Sequence, residues 1–299
     1  MRTYEVNEMQ YVNGQQEKRF SHIFRAISRT NLNQQHQRGT PVPNGGKKHA
    51  PYRTIDVNAL SDRERHSLAD ELYEIYRNIF RGWSQDKMHQ LINDRNCILF
   101  KARIFLDEAG RSIGFAWINA RYVLYKGTRY TVFFTAAGLQ STTRKQGLIT
   151  TFYTKEIVKY RFKHPFDRIF CFQRLIHPAS YCAWVNALHE MYPLPDRSTP
   201  PQVKELTSHL SELFQFKTVR KEDPFVVYTD NYVILDLDGD TPVVVDSKKP
   251  EARFYDALTQ SSGDLSLLMI FPLNFKNVAL AVSKNVNKRI RRMLNAQSN

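Results

Sequence analysis

Thr142–Ile149 reads TTRKQGLI, two adjacent cations and a glycine immediately ahead of a run with helical spacing. Upstream lies TRYTVFFTAAGL (128–139), rich in β-branched and aromatic residues; downstream, Ile149, Tyr153, Ile157 and Tyr160 recur on one helical face. The stretch therefore reads as a strand-to-helix turn, with Ser141, Thr142 or Thr143 available as N-cap. Such a turn suits an anion, because a helix start exposes unpaired N–H groups and a partial positive charge, and glycine admits a phosphate close to the backbone. A solvated basic loop has the same composition, so the surroundings must decide between the two.

Those surroundings are regular. YRTIDVNAL (52–60) begins as a strand, Ser61 and Glu64 form a capping box, and Leu68, Leu72, Ile75 and Ile79 follow at helical spacing. SQDKMHQLIN (84–93) predicts a second helix. NCILFKARIFLD, SIGFAWINARYVLY and TRYTVFFTAAGL, joined by the turns EAGR and KG, predict an antiparallel meander. After the basic turn and its helix come a buried strand in DRIFCFQRLI (167–176), a helix through ASYCAWVNALHEMY that Pro193 stops, a helix in VKELTSHLSELF, and a closing hairpin in FKTVRKEDPFVVYTD. The order is an α/β fold organised around a strand, a basic Gly-containing turn and a helix.

Composition bounds the classes. With 299 residues, 42% apolar, the chain can build a large core, and its formal charge of +14 favours an anionic partner. Three cysteines without CxxC spacing and histidines without HxH or HxxxH pairing indicate neither a disulfide framework nor a metal site, and fit reducing, cytoplasmic conditions. The N-terminal residues lack a signal-peptide h-region, and no window of about 18 apolar residues occurs. Three regions are expected: a flexible polar and basic segment at 1–50 with one short helix near 20–27, a folded domain at 51–230, and a C-terminal extension at 231–299.

On these residues the chain resembles the GNAT superfamily of acyl-CoA-dependent N-acyltransferases, over about 52–230. The family's phosphate turn runs Arg or Gln, two residues, Gly, one residue, Gly or Ala, between its fourth strand and third helix. Arg144, Gly147 and Ile149 stand at those positions, Ile149 being larger than the pattern. The resemblance implies a mixed, mostly antiparallel central sheet flanked by helices, and acyl-CoA (coenzyme A) as co-substrate. Arg144, Lys145, Gln146, Gly147, Leu148 and Ile149 would surround the phosphates, with backbone groups of Ala137, Gly138 and Leu139 facing the thioester. Gly138 marks either a β-bulge or a plain strand end. An amine would attack directly, with Tyr181 protonating the departing thiolate; His177 serves as a base or caps the helix that Pro178 begins. The larger Ile149 also admits a donor carried on a protein-bound phosphopantetheine, and the acyl chain can be long.

No acidic residue lies in TVFFTAAGL to serve as base. Trp117, Tyr122 and Tyr125 line a channel or pack in the core. In the extension, NYVILDLDGDTPVVVDS predicts two strands around DGD. SLLMIFPLNF and NVALAVSKNVNKRIRRML, with Val278, Val282, Val286, Ile290 and Leu294 on one face and basic residues elsewhere, either pack on the domain or contact an anionic membrane across 265–294. The alternative function is a nucleic-acid-binding or membrane-associated non-catalytic module, against which stand dispersed cations and no RNP-like strand. The amine acceptor is left open by the sequence.

Overall fold

The computed structural model describes residues 51–140, 148–229, 233–234 and 248–284, within the compact unit His49–Asn299. Expectations for 1–50 therefore lie outside the described residues. The elements are β1 (Tyr52–Asp56), α1 (Asp62–Arg77), β2 (Phe80–Arg81), α2 (Gln85–Ile92), β3 (Leu99–Leu106), β4 (Ser112–Tyr125), β5 (Thr128–Leu139), α3 (Leu148–Lys163), β6 (Ile169–Leu175), α4 (Pro178–Val185), α5 (Pro201–Leu213), β7 (Thr218–Arg220), β8 (Asp223–Tyr228), β9 (Val233–Ile234), α6 (Pro250–Thr259) and β10 (Leu265–Pro272). Residues 275–284 are also helical.

Eight strands form one sheet in the order β1-β3-β4-β5-β6-β10-β8-β7, and β2 pairs with β9 separately. Every pairing in the large sheet is antiparallel except β5 with β6. This is the mixed, mostly antiparallel sheet that the resemblance implies. The local signals hold where they were strongest. Ser61 accepts from the Glu64 N–H while the Glu64 carboxylate accepts from the Ser61 N–H, and Ser84 caps α2. At the β4–β5 turn, Lys126 and Gly127 have φ of 48° and 71°, which matches a tight two-residue hairpin.

Two expectations are corrected. The helix expected to run to Pro193 stops at Val185, where Asn186 folds its side chain back onto the Cys182 carbonyl. Beyond it, Tyr192 pairs with Ile270 on β10. The second correction concerns SLLMIF. It is neither a membrane-facing run nor part of an appended extension: it is β10, inserted between β6 and β8, with Leu267 to Ile270 wholly buried. A strand covered on both faces needs a continuous apolar run, and its sequence cannot be told from a surface-seeking segment by hydropathy. The boundary expected near residue 230 thus falls inside the sheet. Of the expected DGD strands only Val233–Ile234 is described, paired with Phe80–Arg81. Of the C-terminal amphipathic helix, 285–299 lies outside the described residues. No helix among the described residues is long and apolar enough to cross a membrane.

Asn277 fastens the C-terminal part to the sheet. It is 1% exposed; its Oδ1 accepts from the N–H groups of His189 (2.9 Å) and Glu190 (3.0 Å), and its Nδ2 donates to the carbonyls of Glu190 and Pro272, both at 2.8 Å. Three backbone groups of a non-regular segment and one at the end of β10 thus find partners in one side chain, where unpaired burial would be unfavourable. Several cations are likewise structural. Arg103, on β3, is buried between the rings of Tyr52 and Phe152, and Arg65 donates to the Ile92 carbonyl. Part of the positive charge is therefore built into the domain.

Two outcomes follow. Asn277→Ala strands these four groups and should lower stability by on the order of 3 kcal/mol, a Tm drop of roughly 10 °C by calorimetry. Cys97, Cys171 and Cys182 are free and buried, and burial pushes all three thiols up, that of Cys171 to about 12. Native protein at pH 8 should react with a thiol-labelling disulfide far more slowly than denatured protein, in which all three thiols should titrate.

Candidate functional site

The central feature is a separation of neighbouring strands. β5 and β6 are paired only at Thr131↔Ile169, Val132↔Phe170 and Phe133↔Cys171, although β5 continues to Leu139 and β6 to Leu175. Past Phe133 the two part. β6 remains held on its other side by β10, with Phe172 to Leu175 opposite Ile270 to Leu267. β5 remains held by β4 through twelve consecutive pairs in unbroken register, from Tyr125↔Thr128 to Gly114↔Leu139.

Strand alternation says which peptides of β5 look into the gap. The Thr131 N–H donates toward β6, to the Arg168 carbonyl at 2.9 Å, whereas the Gln140 N–H donates toward β4, to the Ile113 carbonyl at 3.0 Å. Successive residues of a strand send their hydrogen-bonding groups to opposite sides, so Thr135, Ala137 and Leu139 face the gap while Ala136 and Gly138 face β4. Two of the three peptides singled out in the sequence, those of Ala137 and Leu139, are thus directed at the opening. Gly138 is the exception. No bulge interrupts the register there, and glycine is required for a different reason: a Cβ would come within 2.4 Å of the Phe80 ring.

Helix α3 leans on this edge. The Tyr153 hydroxyl, fully buried, donates to the Ala136 carbonyl at 2.7 Å, and burial pushes it well above the ordinary tyrosine range. Tyr153 was legible only as one member of a helical face; its bond to β5 depends on the tertiary placement of α3. At the start of α3 Leu148 is buried and Ile149 half-buried, so what Leu148 can offer an anion is backbone. Arg144, Lys145, Gln146 and Gly147 lie outside the described residues.

On the other face of the sheet, the gap is flanked by aromatic rings. Phe134 meets Phe214, just past α5, edge-on at 4.3 Å between centroids, and Phe172 at 6.0 Å; Phe172 in turn meets Phe216 at 5.9 Å. Trp117 belongs to the core, stacked on Phe115 at 4.8 Å and on Trp83 at 6.0 Å. Tyr122 and Tyr125 are at the far end of β4, beside the hairpin, and line no channel here; the Tyr125 hydroxyl reaches Glu205.

The two side chains expected to move protons are both engaged. Tyr181 is 0% exposed, its ring against Phe254 and Tyr255, and its hydroxyl donates to the Pro193 carbonyl at 3.0 Å. Burial raises its pKa. A proton donor would first have to break that bond, so the geometry favours a packing role. The resemblance that implied an acid put Tyr181 on the helix after β6, but α6 covers that side, and the sequence carried no signal for α6 over it. His177 caps α4: its Nδ1 accepts from the Ala179 N–H at 3.1 Å. An accepting Nδ1 fixes the proton on Nε2 in the neutral ring, so His177 cannot take up a further proton without giving up the cap. Among the described residues no cluster of His, Cys, Asp and Glu is arranged to hold a metal ion.

No family model matches the sequence, and no curated protein does. Solved structures with a similar chain path include NAA60 of Arabidopsis thaliana in complex with acetyl-CoA, at 13% identity and a TM-score of 0.32, covering 74% of this chain and 98% of that one. YhbS of Escherichia coli, a GNAT family N-acetyltransferase in complex with CoA, is 18% identical with a TM-score of 0.33, covering 48% of this chain and 71% of its own. An acetyltransferase of the GNAT family from Streptococcus pneumoniae is 9% identical with a TM-score of 0.31, covering 74% and 99%. At scores this low, the role of each residue rests on the geometry of this chain. In backbone path the chain is similar to GNAT-family acetyltransferases, at low identity.

Proposed function

We propose that the protein is an N-acyltransferase that transfers an acyl group from an acyl-CoA thioester to a primary amine by direct attack. The observation that carries this reading is the parting of β5 from β6 after three pairs, beside the start of α3. An open strand edge in the middle of a sheet presents directed N–H and C=O groups, such as those of Ala137, to whatever lies in the opening, and buried backbone groups take hydrogen-bond partners. An extended pantetheine arm with amides of its own has that shape. Its thioester would lie against the Ala137 peptide, and its phosphates near the start of α3 at Leu148, which the sequence precedes with Arg144, Lys145, Gln146 and Gly147.

In the reaction the amine nitrogen forms a bond to the acyl carbon, the carbonyl electrons move onto oxygen, and their return breaks the C–S bond. The Ala137 N–H would stabilise the oxyanion, a contribution of the kind worth about 3 kcal/mol in other acyl transfers. With Tyr181 tied to Pro193 and His177 to its helix, solvent takes the proton from the amine and returns one to the thiolate. A coenzyme A thiolate is a good leaving group at neutral pH, so the departing sulfur requires little assistance. The half-buried rings of Phe134 and Phe214, backed by the buried Phe172, provide an apolar wall for acyl groups longer than acetyl. A protein-bound phosphopantetheine donor would use the same arm with weaker dependence on the diphosphate.

Coenzyme A, acetyl-CoA and a long-chain acyl-CoA should each raise the melting temperature, because a ligand bound only by the native state stabilises it. Gly147→Glu, which places bulk and negative charge at the phosphates, should abolish that rise while leaving the melting temperature without ligand unchanged; a full rise in this variant would refute the donor site. Tyr181→Phe should lose roughly 1 kcal/mol of stability through its single hydrogen bond and keep kcat within about threefold of the parent. A hundredfold fall in kcat with the fold intact would instead make Tyr181 the acid.

A further inference from the structure

Asn119 stands midway along β4, opposite Phe100 on β3 and Phe134 on β5. It is 2% exposed, and its Oδ1 has no hydrogen-bond partner. A position that only had to be filled would be better served by an apolar side chain, since a buried acceptor without a donor is unfavourable. Alternation along β4 sets Asn119 on the face that carries Trp117 and Arg121, two residues to either side. Two separate layers cover this face. The α1–α2 layer reaches it through Trp83, stacked on Trp117. The end of α5 reaches it through Phe214, whose ring meets Phe134 and lies 5.6 Å from the Arg121 guanidinium. Phe134 and Ala136, beside Asn119 on β5, are only half-buried, so the seam between the layers is not closed over them. Ala137, whose peptide faces the gap, lies three residues along β5 from Phe134.

We infer that Asn119 recognises the acyl acceptor: its amide oxygen takes a hydrogen bond from an uncharged N–H or O–H of an aromatic or apolar amine lodged in the seam between Trp83 and Phe214. This inference rests on the acyl-transfer reading above and assigns the acceptor class for it. The electrostatics of the seam select against polycations. Among the described residues, the Asp94 carboxylate beside this face is already paired with Arg121, and Lys87 stands over the Trp83 ring at 5.9 Å. A neutral amide oxygen between aromatic walls suits a compact amine with an apolar body, holding an N–H or O–H of that body while the amino group stays free to attack the thioester.

L-phenylalaninamide, spermidine and coenzyme A are suitable probes, each titrated separately into the full chain and into Asn119→Leu by calorimetry, with melting temperatures recorded. In the parent protein phenylalaninamide should bind at least tenfold more tightly than spermidine. Asn119→Leu should melt at the same temperature or higher, bind coenzyme A within twofold of the parent, and lose at least tenfold in phenylalaninamide affinity, with a matching rise in the acceptor KM for acetyl transfer. Asn119→Ser, which keeps a short acceptor oxygen, should lie between the two and gives a folded comparison if the leucine is too large. A melting temperature several degrees lower in both variants would make the amide a structural element and overturn the assignment. So would parent protein that fails to bind phenylalaninamide, or variants that bind it as well. Coenzyme A separates the two levels: if it binds and the amine does not, only the acceptor assignment falls; if it does not bind, the acyl-transfer reading falls with it.

Discussion

The arrangement of this protein depends on the parallel contact between β5 and β6 ending after Phe133. Each strand is fully committed on its outer side, β5 to β4 over its whole length and β6 to β10, so neither can swing across to close the opening. Side chains hold the two apart. Phe134 and Phe172 meet edge-on across the start of the gap on one face, and on the other Tyr153 draws the β5 backbone toward α3 through the Ala136 carbonyl. A rigid sheet with a fixed internal opening is a suitable frame for acyl transfer, where the reacting groups must be aligned and the oxyanion donors must already point at their target.

The same constraint explains features that looked catalytic or peripheral in isolation. Gly138 sits where a thioester-facing bulge would be placed, yet it is glycine because the Phe80 ring occupies the space of a side chain. The apolar run SLLMIF and the Asn277 clamp are the means by which β6 is pinned on the side away from the gap; without β10 the strand would be free to follow β5. The positive charge is also divided. Arg65 and Arg103 are consumed in packing, Arg161 lies against Phe275 and donates to the Asp167 carbonyl, and Arg121 is paired with Asp94. An argument from net charge to an anionic partner therefore applies only to the cations that remain at the surface.

The site has two sides with different chemistry. Toward α3 it offers peptide groups and a helix start, suited to a polar, extended, anionic donor. Toward α5 it offers aromatic rings and a single neutral amide, suited to a small apolar amine. In the proposed reaction protons are left to solvent, because the two titratable side chains implied for that role are held in bonds of their own, Tyr181 to a carbonyl and His177 to an N–H.

The sequence by itself determined most of the elements and their order from Tyr52 to Tyr228, though not β2 or the end of α4: the capping box at Ser61, the meander with its tight Lys126-Gly127 turn, and the helix after the basic turn are set by neighbours within a few residues, through periodicity, capping and backbone preference. It also placed Ala137 and Leu139 near the end of the strand that borders the opening. Only the tertiary structure decided where β10 goes, because an apolar run is equally favourable in any dry environment and its partners are distant in the chain, Tyr228 to Val226 on β8 and Leu175 to Phe170 on β6. It alone decided that Tyr181 lies beneath α6, that Gly138 yields to Phe80, and that Asn119 lacks a donor. Each of these depends on which atoms of distant segments meet, and no local pattern in the chain records that.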